Sequence, residues 1–195
     1  MSDPRDEHDD PPESLAGRLL VASPELTEDV FSRSVVLVLQ HGAEGAEGVV
    51  LNKPIGASVD SVLPGWQEGA SAPQQLFQGG PVALDSAVGL AGVRGHRDVE
   101  LGLKRLFGSI AVVDLDAPQE VVWPEISGLR VFAGYSGWTK GQLEGELAHG
   151  AWYVVDAHAE DVFDPTPDTL WRRVLRRQAA PLAWLSTYPA DPSLN

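Results

Sequence analysis

The chain has 195 residues, of which 43% are hydrophobic and six are tryptophan, so it is long enough to bury the core of one folded domain. It contains no cysteine, which excludes disulfides, thiolate nucleophiles and cysteine-ligated zinc. Its formal net charge of -14 repels polyanions, so nucleic acid is not an expected partner.

Residues 1–14 are predicted to form a disordered acidic tail. This segment combines six carboxylates with three prolines and almost no apolar side chain, so it cannot bury enough surface to offset the entropy of ordering. It lacks the basic start and apolar run of a signal peptide, and no stretch of the chain approaches the roughly 18 apolar residues of a membrane span. We therefore expect a cytoplasmic protein without a membrane partner, in which residues 15–195 form a single domain.

Short β-branched runs dominate the first half of this domain. RLLVA, SVVLVLQH and GVVLN, which begin at Arg18, Ser34 and Gly48, predict buried strands, and GAEG predicts a hairpin loop between the last two. QLFQGGP, SAVGLAGV and LFGSIAVVDL are three further candidate strands, and LRVFAGY is another. Short helices are predicted from Ser58 to Leu63 and over residues 119–126.

Helices are more frequent in the second half. A helix is predicted over residues 139–149, with Gly150 as its stop, followed by the strand WYVVDA. The segment DTLWRRVLRRQ predicts a helix capped by Asp168. Its apolar side chains line one face, and Arg172, Arg173, Arg176 and Arg177 line the other. We interpret these arginines as a solvated face neutralised by the acidic surface, with anion or partner binding as the alternative. The whole pattern favours one mixed α/β domain.

Several motifs occur together in a fixed order. They are SRSVV from Ser32, GVVLNKP from Gly48, GGPV from Gly79, and GYSGWTKGQLEGEL from Gly134, which is followed by Trp152. In this combination the chain resembles the YqgE/AlgH family of bacterial proteins over residues 17–185. The resemblance implies a bifurcated, mainly antiparallel sheet that curls into a pseudo-barrel with flanking helices. The family is often labelled as transcriptional regulators, and the resemblance implies no settled biochemical activity.

Asn52 and Lys53 are the first candidate ligand-binding residues. Pro54 cannot donate a ladder hydrogen bond, so the segment ends a buried strand, and one interpretation is that it is only a strand terminator. Alternatively, Lys53, one of three lysines, lies at a strand end beside a carboxylate or phosphate, while Asn52 fixes the adjacent backbone.

Two glycine-rich segments supply the other candidates. Gly79 and Gly80 suit a tight turn or a close backbone approach, and their amides are alternatively a nest for an anion. Ser136 lies in GYSGW, which is similar to a nucleophile elbow, but Trp138 stands where the elbow needs glycine. We therefore predict that Ser136 caps the helix that follows.

Aromatic side chains near this segment have two interpretations. Tyr135, Trp138 and Trp152 are predicted core residues, with an aromatic-lined pocket beside Lys53 as the alternative. On the predicted helix, Gln142, Glu144 and Glu146 are expected to face solvent. No spacing of histidines and carboxylates indicates a metal site, and no catalytic residue or cofactor is predicted.

Three functions remain open at this point. The first is a non-enzymatic cytoplasmic module that binds a small molecule or a protein partner at the NKP, GGP and GYSGW segments, with a possible indirect regulatory role. The second is a hydrolase or transferase that acts on a small anionic substrate through Lys53 and Ser136. The third is direct transcriptional regulation, which the net charge of -14 disfavours. The sequence does not indicate the oligomeric state.

Overall fold

The strands form one curled sheet. The computed structural model describes residues 13–94 and 102–189, so the predicted tail lies almost entirely outside the described residues. Within these ranges there are nine strands: β1 (Arg18–Ala22), β2 (Val35–Gly42), β3 (Gly45–Val50), β4 (Phe77–Gln78), β5 (Val82–Val93), β6 (Leu103–Phe107), β7 (Ile110–Val113), β8 (Ile126–Thr139) and β9 (Trp152–Asp156). The order β6-β7-β5-β8-β3-β2-β1-β9 is antiparallel, and β4 pairs in parallel with β8.

The helices are short. In the described part of the chain the α-helices are α1 (Gln119–Val122), α2 (Gln142–Ala148), α3 (Ala159–Val162), α4 (Leu170–Arg176) and α5 (Leu182–Leu185). Single 3-10 turns occupy Asp29–Phe31, Val59–Ser61, Gln67–Gly69, Trp123–Glu125 and Pro167–Thr169. The predicted helix at Ser58 is one of these turns, and the Ser58 hydroxyl caps it by accepting from the Asp60 amide. None of the helices described has the length and apolar character needed to cross a bilayer.

Residues 19–22 of β1, 35–38 of β2 and 48–50 of β3 are buried on both faces of the sheet, which explains why these stretches are continuous apolar runs. Alternate residues such as Leu19 and Leu37 pack into a core with Trp171 and Val174 of α4. The intervening residues, of which Leu20 is an example, pack on the opposite face against Trp138, Leu143 and Trp152. The predicted buried strands and the GAEG hairpin are confirmed.

The sheet curls far enough for its two ends to share one core. Leu106 and Phe107 of β6 pack against the cluster that contains Leu19 of β1, although β6 and β1 are far apart in the strand order. Strand β8 joins the two halves, because residues 126–133 pair with β5 and residues 136–139 pair with β3. A bifurcated, mainly antiparallel sheet in a mixed α/β fold, as expected from the resemblance, is therefore confirmed.

Glycines permit a close backbone approach where β8 passes from one half to the other. A Cβ on Gly79 would lie 2.3 Å from the carbonyl oxygen of Gly134, and a Cβ on Gly80 would lie 2.2 Å from that of Tyr135. Gly134 itself has a φ of +66°, and its Cβ would lie 2.6 Å from the carbonyl oxygen of Val82. No side chain fits in these spaces, so the branch of the sheet depends on glycine.

Arg130 of β8 is a buried cation. Its side chain is 1% exposed and lies over the ring of Phe77, 4.3 Å from the ring centroid. The guanidinium donates hydrogen bonds to the backbone carbonyls of Asp164 and Ala72, and burial lowers the pKa of Arg130 to about 10. At neutral pH the group is therefore charged, and it connects β8 to two separate loops.

Some predicted boundaries are wrong. The run LFGSIAVVDL is a hairpin of β6 and β7 instead of one strand, because Gly108 takes a φ of +47° and turns the chain. Strand β8 extends beyond the expected glycine turn to Thr139, and α2 starts after Gly141, whose φ is +73°. Asp168 does not cap α4, because the N-cap residue is Thr169 and no side chain bonds there.

The glycine branch can be tested with a matched pair of substitutions. Gly134→Ala combines a left-handed backbone with a clash against the Val82 carbonyl, so we expect a loss of about 2–5 kcal/mol in unfolding free energy. Gly141→Ala has a similar positive φ but no atom within 4 Å of its Cβ, so we expect a loss of only about 1 kcal/mol. Urea denaturation measures both, and equal losses would contradict the steric argument.

Candidate functional site

The NKP, GGP and GYSGW segments lie side by side in the sheet. The amide of Gln78 donates to the carbonyl of Lys53, and the amide of Val50 donates to the carbonyl of Gly79, each at 2.8 Å. The Gly79 amide donates to the carbonyl of Ala133 at 2.8 Å, so it is already used and does not contribute to an anion nest. The three segments therefore form one hydrogen-bonded backbone unit.

Ser136 belongs to this unit as a buried residue. Its side chain is fully buried, and its hydroxyl donates to the carbonyl oxygen of Gly79 at 3.0 Å. The prediction that Ser136 caps α2 is wrong, because β8 continues past it and Gly141 precedes the helix. Lys53 lines a cavity to which Ser136 does not contribute, so the two residues do not meet at a common site.

Asn52 and Lys53 fasten the loop that contains the SRSVV motif. The Asn52 carboxamide accepts from the amide of Val35 and donates to the carbonyl of Arg33, each at 2.9 Å. The Lys53 ammonium donates to the carbonyl of Ser32 at 2.7 Å. These bonds hold Arg33 in a left-handed conformation with a φ of 53°, which a non-glycine residue rarely adopts. Asn52 therefore fixes the backbone of the loop that Lys53 contacts.

Lys53 lines a cavity of about 490 Å³ at this loop. Its charged lining consists of two cations, Lys53 and Arg33, and two carboxylates, Asp29 and Asp168. Its other lining residues are Val30, Ser32, Asn52, Pro54, Ile55 and Gln78. The Lys53 ammonium has three N–H groups, and within the described residues only the Ser32 carbonyl is bonded to one of them. Two N–H groups are left for a ligand in the cavity.

The charges in this cavity influence one another. Burial lowers the pKa of Lys53, the charge of Asp168 raises it, and the charge of Arg33 lowers it. Burial also lowers the pKa of Arg33, and the charge of Arg172 has the same effect. The Arg33 guanidinium lies 4.7 Å from the ring centroid of Trp171 and donates to the carbonyls of Tyr188 and Pro189, so packing and hydrogen bonds together set its position. An incoming anion would relieve the repulsion between the two cations.

Trp138 and Trp152 are core residues, as predicted, and a single carboxylate satisfies both. The two rings pack edge to face, and each indole N–H donates to Oε2 of Glu146, at 2.8 Å from Trp138 and 2.7 Å from Trp152. Gln142 donates to the other oxygen of Glu146 at 2.9 Å. The expectation that Glu146 faces solvent is therefore wrong. Tyr135 is half-buried against the core on the other face of the sheet.

Glu144 is also engaged, with His41 of β2. The His41 side chain is 3% exposed, its Nδ1 accepts from the Leu15 amide at 3.1 Å, and its Nε2 lies 2.8 Å from the Glu144 carboxylate. A backbone hydrogen bond and the bond with His41 lower the pKa of Glu144. His41 and Trp138 line a second cavity, of about 400 Å³, at the tip of the β2–β3 hairpin. The aromatic candidate Trp138 therefore does not lie beside Lys53.

Two of the four arginines on and just after α4 pair with buried aspartates, Asp161 and Asp164. Arg177 forms a bidentate ion pair with Asp161, and Arg173 pairs with Asp164. The prediction of a solvated face neutralised by the acidic surface is therefore wrong for Arg173 and Arg177, because their carboxylate partners are buried. Among the residues that the structure describes, no group of three or more histidines and carboxylates is placed to hold a metal ion.

Sequence reasoning missed two residues at these sites. Arg33 lies inside the SRSVV motif, but nothing in its local pattern indicates that it faces Lys53, which is 20 residues away. Asp168, predicted to cap a helix, is instead a carboxylate of the Lys53 cavity. The one sequence signal for either residue is its charge: Arg33 directly precedes the apolar strand SVVLVL, and Asp168 lies just before α4.

The fold and the site together define a class of protein: a curled antiparallel sheet with a glycine branch, flanked by a cavity of mixed charge. A family model described as AlgH-like matches residues 19–183 of the chain. The chain is 53% identical to a UPF0301 protein of Streptomyces avermitilis over 185 residues, which is 93% of this chain and 96% of the relative. It is 54% identical to a UPF0301 protein of Streptomyces coelicolor with the same coverage. The chain therefore belongs to the AlgH-like, or UPF0301, family.

Solved structures show the same architecture. A crystal structure of a protein from Corynebacterium diphtheriae matches with a TM-score of 0.82 and 36% identity, covering 89% of this chain and 92% of the other. The solution structure of the AlgH protein from Pseudomonas aeruginosa matches with a TM-score of 0.64 and 24% identity, covering 98% and 100%. The second match supports the fold alone.

The shared acceptor of the two tryptophans gives a testable prediction. Glu146→Leu leaves two buried indole N–H groups without an acceptor, so we expect it to lower the unfolding free energy by about 2–4 kcal/mol. Glu146→Gln keeps a carbonyl oxygen at this position, and we expect a loss of about 1 kcal/mol. Urea denaturation followed by tryptophan fluorescence compares the two variants. Equal destabilisation by Glu146→Leu and Glu146→Gln would show that an acceptor for the two indole N–H groups does not contribute to stability.

Proposed function

We propose that the protein is a cytoplasmic, non-catalytic module that binds a small anionic ligand in the cavity around Lys53. The observation that carries this proposal is the half-buried Lys53 ammonium, which lines a cavity of about 490 Å³ and has a single acceptor in the described structure. The ligand class is a carboxylate or a phosphate, because both accept several hydrogen bonds from an ammonium group.

The charge distribution supports an anionic ligand at this position. The protein has a net charge of -14, so most of its surface repels anions. In the Lys53 cavity, however, two cations lie close enough for the charge of Arg33 to depress the pKa of Lys53. Such a pair is stabilised when an anion binds, and Asp29 and Asp168 at the same cavity favour a ligand that also carries a donor group.

The enzyme alternative receives no such support. A hydrolase or transferase that uses Lys53 and Ser136 needs both side chains at one substrate, with the hydroxyl free to attack. The Ser136 hydroxyl is buried and donates to the Gly79 carbonyl, and Ser136 is not part of the Lys53 cavity. Ligand binding without chemistry is therefore the function that the geometry favours.

Replacing Lys53 tests this function. Lys53→Ala removes one hydrogen bond at a half-buried position, so we expect a loss of only about 1 kcal/mol in unfolding free energy. The same substitution should abolish the heat of binding when inorganic phosphate or succinate is titrated calorimetrically. Native mass spectrometry of freshly purified wild-type protein should show a retained small molecule that is missing from the variant.

Lys140→Ala is the matched control, because Lys140 is exposed and lies outside the cavity. It should bind phosphate or succinate as the wild type does, which separates a local effect from a general loss of positive charge. Binding by Lys53→Ala at wild-type affinity would refute the proposal. Unfolding of Lys53→Ala would assign the lysine a structural role instead.

We also propose that any regulatory role is indirect. A net charge of -14 opposes contact with DNA phosphates, from which DNA-binding proteins obtain most of their non-specific affinity. We expect no shift of duplex DNA in a gel at low salt, where electrostatic binding is strongest. A shifted band that disappears as salt is added would contradict this expectation and support direct regulation.

A further inference from the structure

A third cavity lies on the β5 side of the glycine branch. It has a volume of about 480 Å³ and is formed where β5, the end of β7 and the loop around Val62 meet. It shares no lining residue with the Lys53 cavity. Two large apolar side chains at this cavity are exposed to solvent, Leu84 by 58% and Val62 by 50%. Apolar side chains that are gathered and exposed in this way are typical of interaction surfaces.

A bulge in β5 holds Leu84 in this exposed position. Val82 is opposite Tyr135 in β8, but the next registered residue, Ala87, is opposite Ala133, so residues 83–86 project from the sheet. Ala83 has a φ of 47°, a left-handed conformation that is unfavourable by about 1–2 kcal/mol for a residue with a side chain. The Ser86 hydroxyl donates to the Ala83 carbonyl at 2.8 Å and closes the bulge. Strand β5 is thus paired with β8 both before and after the bulge.

Carboxylates surround the apolar side chains. Asp85, Asp114 and Asp116 line the same cavity and are exposed. Within residues 13–94 and 102–189, none of the three forms an ion pair with a lysine, arginine or histidine. Among the described residues, the Asp114 carboxylate accepts only from the Asp116 amide, at 3.0 Å. The rim of the cavity therefore has negative charge that the described protein does not neutralise.

The exposed apolar side chains and the surrounding carboxylates together indicate what kind of molecule binds in this cavity. A second copy in a twofold contact would place the same carboxylates opposite one another, which is unfavourable. An anionic membrane surface or a nucleic acid is repelled by the same charges. We propose that this cavity is the docking site of a protein partner, whose contacting segment carries lysine or arginine beside an apolar side chain. The apolar side chain covers Leu84 and Val62, and the cations pair with the three aspartates.

Labelled peptides test this proposal on the full chain. Fluorescence anisotropy should show binding of the peptide KLKKLK, weaker binding of KSKKSK, which lacks the apolar side chains, and no binding of ELEELE. Leu84→Ser should weaken binding of KLKKLK by about tenfold, and Asp85→Asn should weaken it severalfold. Both residues are exposed, so both variants should keep the thermal unfolding midpoint of the wild type.

Two control variants separate this surface from the overall charge. Ile55→Ser removes an apolar side chain that is 47% exposed at a different cavity, and Glu44→Gln removes an exposed carboxylate elsewhere. Both should bind KLKKLK as the wild type does, and so should Lys53→Ala, because the Lys53 cavity is separate. Equal binding by Leu84→Ser and Ile55→Ser would overturn the proposal, as would equal binding of KLKKLK and KSKKSK. Self-association of the protein in sedimentation, lost in Leu84→Ser, would identify a second copy as the occupant and also overturn it.

Discussion

The contact between two backbones at Gly79, Gly80 and Gly134 is the constraint on which the rest of the structure depends. The segment after β4 lies directly against β8, and this is possible only because these three residues have no Cβ. That contact holds Gln78, whose amide bonds to Lys53, and it places the β5 bulge beside Gly134. Gln78, next to Gly79, lines the Lys53 cavity, and Ala133, next to Gly134, lines the Leu84 cavity, so both cavities adjoin this contact.

Local patterns were sufficient to predict most of the fold. The runs in β1, β2 and β3 are apolar at successive positions because both faces of these strands are covered, and a run of this kind predicts a buried strand without knowledge of its partners. The turn at Gly108 was missed because it interrupts an apolar run whose two halves have the same character. The extension of β8 to Thr139 is not evident from the sequence because Gly134, which is typical of a turn, here permits a close contact with β5.

The candidate site was less predictable, because its contacts are long-range. Lys53 was identified from its rarity and from Pro54, but its neighbour Arg33 depends on how a distant loop is held by Asn52. The cap assigned to Ser136 followed a sound local rule, which failed because the strand does not end there. Glu146 is predictable in principle. It lies on α2, between Trp138 of β8 and Trp152 of β9 in the sequence, and the apolar side chains of α2 pack against the same core as these tryptophans.

Buried Arg130 has a consequence for how the molecule unfolds. Its charge is held by carbonyls from two loops, at Ala72 and Asp164, that are 92 residues apart in the chain. If either loop detached alone, the guanidinium would lose an acceptor while still surrounded by core, which raises the free energy of that partial opening. Arg130 thus couples the stability of the two loops to that of β8, so that each loop opens less readily than an unanchored loop would.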